Sequence, residues 1–421
     1  MVVIGNGIGG FSAGSTIRRL DDQCEVTLIA SEAHPLYSAC VLPDYISGKI
    51  SRKQVFVKSR SDYRNLGIRA FWGLEAKEID PNTKKIFLDD GRDIDFDRLI
   101  LATGSEALFF GELKKGLFKL KTLKDADEIK RQRGKKAVVI GAGPIGVEIG
   151  IALLKRGYEV TIVEMMDKVL PLGLDTKGAE KVKSMLEERG IEVLLNERSE
   201  KVLGSDRVEG LVTSKRQIDC DTLLWAVGMR PRVELAREAG IVLGERGGIR
   251  VNSHMETNIE GIYACGDCVE SNDMLTGEPY PNLFWHNANR QGMVAGRNCL
   301  GKTTDYPGSQ NILNVDVFGN HVAGFGFTEA ALHRFENVKG MAGKLSDLSI
   351  IEKEKNGSYY RLVIVGDRCM GGQFINMSQN IGMLWSLMIR RRGMKELTNL
   401  LGNRELLCRK PWFYPIKPFF A

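Results

Sequence analysis

A short apolar strand followed at once by G-x-G-x-x-G and a helical stretch occurs twice in this chain, and nothing else in it constrains the fold as much. Val2-Val3-Ile4 runs into Gly5-Asn6-Gly7-Ile8-Gly9-Gly10, and Ala137-Val138-Val139-Ile140 runs into Gly141-Ala142-Gly143-Pro144-Ile145-Gly146. The helical stretches that follow reach from about Phe11 to Leu20 and on to about Arg156. In such a unit the first glycine (Gly5, Gly141) makes the tight turn. The second (Gly7, Gly143) lets the backbone approach a pyrophosphate, and the third (Gly10, Gly146) lets helix and strand pack closely. The pyrophosphate sits on the positive end of the helix. A lone G-x-G-x-x-G is weak; each copy here has the strand and the helix that the reading requires.

The residue that ends the next strand separates the two copies. In the second, Tyr158-Glu159-Val160-Thr161-Ile162-Val163 closes on Glu164, about 20 residues past the glycines, where a carboxylate accepts both ribose hydroxyls. It repels a 2′-phosphate, and Met165, Met166 and Asp167 provide no arginine to hold one, so NAD(H) is expected over NADP(H). In the first copy the strand Glu25–Ile29 ends on Ala30, and Glu32 is the candidate ribose ligand. Two dinucleotide folds call for two dinucleotides. Nicotinamide and flavin are the natural pair, because a hydride passes directly from one ring to the other.

Four further motifs carry a family resemblance. Phe96-Asp97-Arg98-Leu99-Ile100-Leu101-Ala102-Thr103-Gly104 resembles the turn that closes an FAD domain, and Leu224-Trp225-Ala226-Val227-Gly228-Met229-Arg230-Pro231 the turn that closes an NAD domain. Thr257 followed by Tyr263-Ala264-Cys265-Gly266-Asp267 resembles a second FAD fingerprint. Ala288-Asn289-Arg290-Gln291-Gly292 resembles the start of the helix beneath a flavin's pyrimidine end. With the two glycine clusters, the chain resembles the pyridine nucleotide–disulfide oxidoreductase superfamily, in the branch of NADH oxidases, coenzyme A-disulfide reductases and rubredoxin or ferredoxin reductases.

The resemblance implies an α/β chain of two Rossmann-like three-layer domains plus a C-terminal α+β interface domain. The FAD domain would come in two pieces, 1–110 and 248–308, around an NAD domain at 111–247, with an interface domain at 309–421 that implies a homodimer. A strand at Asn311–Phe318 would open that last part. The cofactors implied are FAD and NAD(H), with Thr103, Gly104, Gly228, Gly266, Asn289 and Gln291 among the binding residues and Asp267 on the FAD ribitol. Glu148, just past the second glycine cluster, would lie near nicotinamide and flavin, its alternative being a helix surface charge.

Cys40 lies in Leu36-Tyr37-Ser38-Ala39-Cys40-Val41-Leu42-Pro43-Asp44, a segment that resembles the one carrying a single redox cysteine in coenzyme A-disulfide reductases and NADH oxidases. Such a thiol reacts as thiolate. Asp44 stands where the family has an aromatic residue, and a nearby carboxylate raises a thiol's pKa. Carrier reductases of the same family lack this cysteine, so Cys40 reads either as catalytic or as part of the flavin wall. Cys265-Gly266-Asp267-Cys268 is formally C-x-x-C, but its Gly-Asp belongs to the FAD motif and no second pair completes a zinc site, so no metal is expected. No cysteine lies close to Cys40 in sequence, and His333 is the last of five histidines, so dithiol chemistry with a C-terminal histidine base is disfavoured.

Eight scattered cysteines suit a reducing compartment, no apolar run approaches a membrane span, and the strand beginning at Val2 leaves no room for a leader, so a soluble cytoplasmic protein is expected. The net charge of +6 is concentrated toward the end, at Arg390-Arg391-Arg392, Lys395, Arg404, Arg409 and Lys410. That is a solvated face or a dock for an acidic partner. No nucleic-acid module is visible. The aromatic, proline-broken stretch 408–421 packs across a dimer or docks a protein. The function expected is hydride transfer between NAD(H) and FAD with onward electron exchange to an iron–sulfur carrier such as a ferredoxin or rubredoxin. The alternative is a Cys40-dependent NADH oxidase, peroxidase or coenzyme A-disulfide reductase. A lesser one is a flavin-binding subunit of a larger redox complex.

Overall fold

The computed structural model describes residues 1–112, 114–280, 283–332, 345–377, 381–390 and 393. Its first sheet is parallel throughout. Val2–Ile4 lies at its centre, flanked by Val26–Ala30 and Leu99–Leu101, with Ile68–Trp72 and Ile262–Ala264 at the edges. Both faces are covered, which is why these strands read as unbroken apolar runs. Val3, Leu28 and Ile100 pack with helices Ile8–Leu20 and Trp285–Cys299. Val2, Ile4, Ile29, Leu99 and Leu101 pack the other way, onto the small antiparallel sheet of Ala76–Asp80, Lys85–Leu88 and Asp93–Asp95.

The second sheet repeats the design. Lys136–Ile140 is central between Glu159–Val163 and Thr222–Trp225, with Ile191–Leu194 and Leu117–Lys119 outside, all parallel. Ala137 and Val139 face helices Pro144–Lys155 and Thr176–Glu187. Val138 and Ile140 face a three-stranded antiparallel sheet through Val202, Leu211 and Ile218. Each unit is therefore helix, parallel sheet, antiparallel sheet. An antiparallel pairing of Ser105–Ala107 with Met229–Pro231 ties the two units together.

The third part is a five-stranded antiparallel sheet in the order Ile312–Val317, Asn320–Gly326, Arg368–Ile375, Ser358–Val365, Leu348–Lys355, with helix Ile381–Ile389 against it. The α/β class with a C-terminal α+β part is as the sequence implies. Leu313, Val315, Val317, Val322, Tyr359 and Ile375 share one core with the helices of the second unit and with Leu42, Ile46 and Val55 of the Cys40 region. Arg361 adds polar fastening: it bonds Asp175 at 3.1 Å, Glu352 at 2.8 Å, and Glu329. Gln373 donates to the same Asp175 at 2.6 Å and accepts from its backbone at 2.7 Å. Among the described residues no helix is long and apolar enough to cross a membrane. His333, Arg391, Arg392, Lys395, Arg404, Arg409, Lys410 and the stretch 408–421 lie outside the described residues.

Candidate functional site

The two glycine turns are built alike. Gly5 has φ +111° and Gly141 φ +102°, in the region that side chains avoid. A Cβ on Gly10 would stand 2.0 Å from the Gly5 carbonyl oxygen, and one on Gly146 1.9 Å from that of Gly141. Only glycine allows that helix to come so close to its own turn. Gly7 and Gly143 differ: a Cβ there would meet no atom within 4 Å. Both precede their helices as N-caps without a side-chain cap. Each turn therefore faces uncapped amides into open space, a cradle that fits a pyrophosphate.

Around these turns the acidic candidates are held by neighbours. The Glu164 carboxylate, 7% exposed, accepts from the Ala142 amide at 2.7 Å and from the Met166 amide at 2.9 Å. That fixes it beside the second glycine turn, with lone pairs left over for a ribose. Glu32 accepts from the Tyr37 hydroxyl at 2.9 and 3.1 Å, and that hydroxyl accepts from the Leu123 amide at 3.0 Å. Burial, then the charge of Glu32, holds the Tyr37 phenol well above its ordinary value, so it stays a donor. Tyr63 does similar work for the first turn, donating to Asn6 at 2.6 Å.

The closing turns meet each other. Thr103 donates through Oγ1 to the Arg232 carbonyl at 2.7 Å, and the Arg232 amide bonds the Gly104 carbonyl at 2.9 Å. Gly228 sits just before the pairing strand Met229–Pro231, with φ +110°. Asp267 is ion-paired with Lys121 at 2.9 Å and accepts from Ser105 at 2.8 Å, while Lys121 also donates to Ser105 at 2.8 Å. The Gly266 amide donates to Gln291 Oε1 at 2.8 Å, and Gln291 Nε2 donates to Ser271 and Ser309 at 3.0 and 3.2 Å. Gln291 is 2% exposed and thus holds the Gly266-Asp267 turn in place. Asn289 accepts from Ser12 at 2.6 Å, joining the two helices of the first unit. Cys265 and Cys268 are wholly buried, and burial raises both thiols.

Cys40 and Glu148, far apart in the sequence, line one cleft. Cys40 sits on the 3-10 turn Ala39–Val41 and is exposed. It is followed by helix Leu42–Ser47, which brings Pro43, Asp44 and Ser47 to the cleft. Opposite runs helix Pro144–Lys155, whose Glu148, Ile151, Ala152 and Lys155 form a single i, i+3, i+4, i+7 stripe along the wall. Asp316, from strand Ile312–Val317, and Lys49 complete the lining. The Cys40 residue faces open space, yet protein crowds the rest of the sulfur's surroundings. That burial raises the thiol, Glu148 and Asp267 raise it further, and a Ser38 hydrogen bond and Lys121 pull it back. The Glu148 carboxyl is pushed up to about 7 by burial, then by Asp44 and Asp316.

Lys121, Tyr37, Ser105 and Asp316 have no signal in the sequence reading. Lys121, Ser105 and Asp316 act on groups distant along the chain, as Lys121 does on Asp267; Tyr37 bonds Glu32 five residues away, and its distant partner is the Leu123 amide.

The family model for pyridine nucleotide-disulphide oxidoreductases matches residues 1–292. An NADH oxidase of Methanocaldococcus jannaschii is 33% identical over 95% of this chain and 93% of its own length. The reduced Bacillus anthracis CoADR-RHD structure superposes with a TM-score of 0.89 at 26% identity, covering 97% of this chain and 76% of that one. A NAD-dependent persulfide reductase from A. fulgidus superposes with a TM-score of 0.84 at 29% identity, covering 94% and 78%.

Proposed function

The chain belongs to the pyridine nucleotide-disulphide oxidoreductase family, and from that premise we propose that it reduces a sulfur acceptor with NADH through the Cys40 thiol. At the coarser level it is an FAD- and NAD(H)-dependent oxidoreductase. Bound FAD supplies a two-electron acceptor for hydride that can also release electrons singly. Gly5, Gly7 and Gly10 hold its pyrophosphate, Glu32 its ribose and Asp267 its ribitol, with Gly266, Gln291 and Asn289 fixing the turn and helix beside it. Thr103, Gly104 and Gly228 shape the closing turns of the two units. Gly141, Gly143, Gly146 and Glu164 hold NAD(H).

The observation that carries the sulfur reading is the shared cleft: an exposed cysteine on one side and a proton-bearing Glu148 on the helix opposite. The likeness to the persulfide reductase and the CoADR-RHD structure supports it. A lone thiol suffices, since a single thiolate opens an S–S bond through a mixed disulfide. A second reading sends electrons to an iron–sulfur carrier, with Cys40 only a wall residue. The carboxylates that raise the thiol favour it. In either case a homodimer is expected.

Replacing Cys40 separates the two. With NADH and coenzyme A disulfide, Cys40→Ser is expected to lose turnover at least about a hundredfold, while NADH-dependent ferricyanide reduction persists. Undiminished turnover of the disulfide by the variant would overturn the sulfur reading. Retained reduction of a ferredoxin or rubredoxin by the same variant would establish the carrier reading.

A further inference from the structure

The cleft beside Cys40 carries an acidic arrangement that a redox thiol alone does not need. Three carboxylates reach it from three elements: Asp44 from helix Leu42–Ser47, Glu148 from helix Pro144–Lys155, and Asp316 from strand Ile312–Val317. Two cations face the same space. Lys49 is committed to Asp44 at 3.1 Å, and Lys155 lies two turns along the helix from Glu148. Asp316 is anchored by the Gly319 amide at 3.0 Å. Among the described residues no ion pair or side-chain hydrogen bond engages the Glu148 carboxyl; burial and its two acidic neighbours act on it, with only Lys49 opposing. A carboxyl in that setting keeps its proton near neutral pH and can hand it on.

We propose that Glu148 is the proton donor of the Cys40 cleft, and that Asp44 and Asp316 are positioning residues that keep the proton on it. This rests on the reading of Cys40 as the working thiol and adds the source of the proton. The Cys40 thiolate bonds to one sulfur of the acceptor, the acceptor's S–S bond breaks, and the leaving sulfur takes the Glu148 proton to depart as a thiol. Hydride from NADH supplies the two electrons that cleave the resulting mixed disulfide, restoring the thiolate and releasing the second thiol. NADH, one proton and RSSR′ thus give NAD⁺, RSH and R′SH, with the proton entering through Glu148 and replaced from cleft water. The same protonation helps the nucleophile, because a neutral Glu148 removes one of the charges that oppose a Cys40 thiolate.

The test is a pH series on the holoenzyme with NADH and coenzyme A disulfide, paired with iodoacetamide alkylation of Cys40 in the absence of NADH. In the wild type, kcat/KM is expected to fall above about pH 7 as Glu148 loses its proton. Asp316→Asn and Asp44→Asn move that fall to lower pH. Glu148→Gln loses about a hundredfold in kcat/KM and the fall with it. In the same variant Cys40 alkylates faster at pH 7, because a charge that raised its pKa is gone, and no faster at acid pH, where wild-type Glu148 already carries its proton; a structural loosening would quicken it at both. Flavin absorbance verifies that each variant retains cofactor. An unchanged pH profile and alkylation rate in Glu148→Gln and Asp316→Asn, with Cys40→Ser inactive, overturn the proposal and leave the sulfur reading standing. Full disulfide turnover by Cys40→Ser overturns the sulfur reading itself.

Discussion

Glu148 links chemistry to stability at the scale of one residue. Its carboxyl titrates near 7 in the folded chain, above the ordinary glutamate value near 4.5. The native state therefore holds this proton more tightly than the unfolded chain does. The group's contribution to stability is present in full below about pH 4.5 and is lost as pH rises toward 7. Gln mimics the protonated form and cannot ionise. Glu148→Gln is thus expected to be more stable than the wild type at pH 8, by on the order of 1–3 kcal/mol, and equal to it at pH 4.5. Denaturant midpoints at the two pH values measure this; no gain at pH 8 would mean that Glu148 is already solvated. The local reading could place Glu148 on a helix after a glycine turn, but not beside Cys40, Asp44 and Asp316. Its environment comes from three separated segments.

Among the elements, helices Ile8–Leu20 and Trp285–Cys299 meet backbone to backbone in the first unit. A Cβ on Gly292 would stand 2.1 Å from the Gly9 carbonyl oxygen, and one on Gly296 2.7 Å from that of Ala13. The obstacle in both cases is backbone, which cannot swing aside. Gly292→Ala should therefore push the helices apart, costing about 3 kcal/mol and weakening FAD retention through the Ser12–Asn289 bond that crosses the same contact. Thermal unfolding and flavin release on dialysis would report it, and a wild-type melting temperature would count against the packing argument. The sequence already displays Gly292 and Gly296 one turn apart, but only the fold reveals that their partner is a helix nearly the whole first unit and second unit away.

For the whole molecule, the third sheet owes its place to the second unit. It shares the core there, and Arg361 gathers Asp175, Glu352 and Glu329 around one guanidinium. Arg361→Met strands Asp175, 8% exposed, with Gln373 as its one remaining side-chain donor among the described residues. The expected loss is about 2–4 kcal/mol, read as a lower urea midpoint, with cleft activity falling in parallel because Asp316 is carried on that sheet. An unchanged midpoint would show that apolar packing alone seats the sheet. The sequence by itself determined the two Rossmann-like units, since each rests on contiguous residues: a strand, glycines whose missing Cβ is a steric necessity, and a helix. It also marked Glu164, Asp267 and Cys40, because these stand at fixed offsets within local motifs. Only the tertiary structure decided what surrounds them. Lys121 reaches Asp267, Gln291 reaches Gly266, and Glu148 and Asp316 reach the Cys40 cleft across long stretches of chain. Spacing along a chain encodes local geometry, whereas the charge and burial that set a proton's affinity depend on what the fold brings alongside.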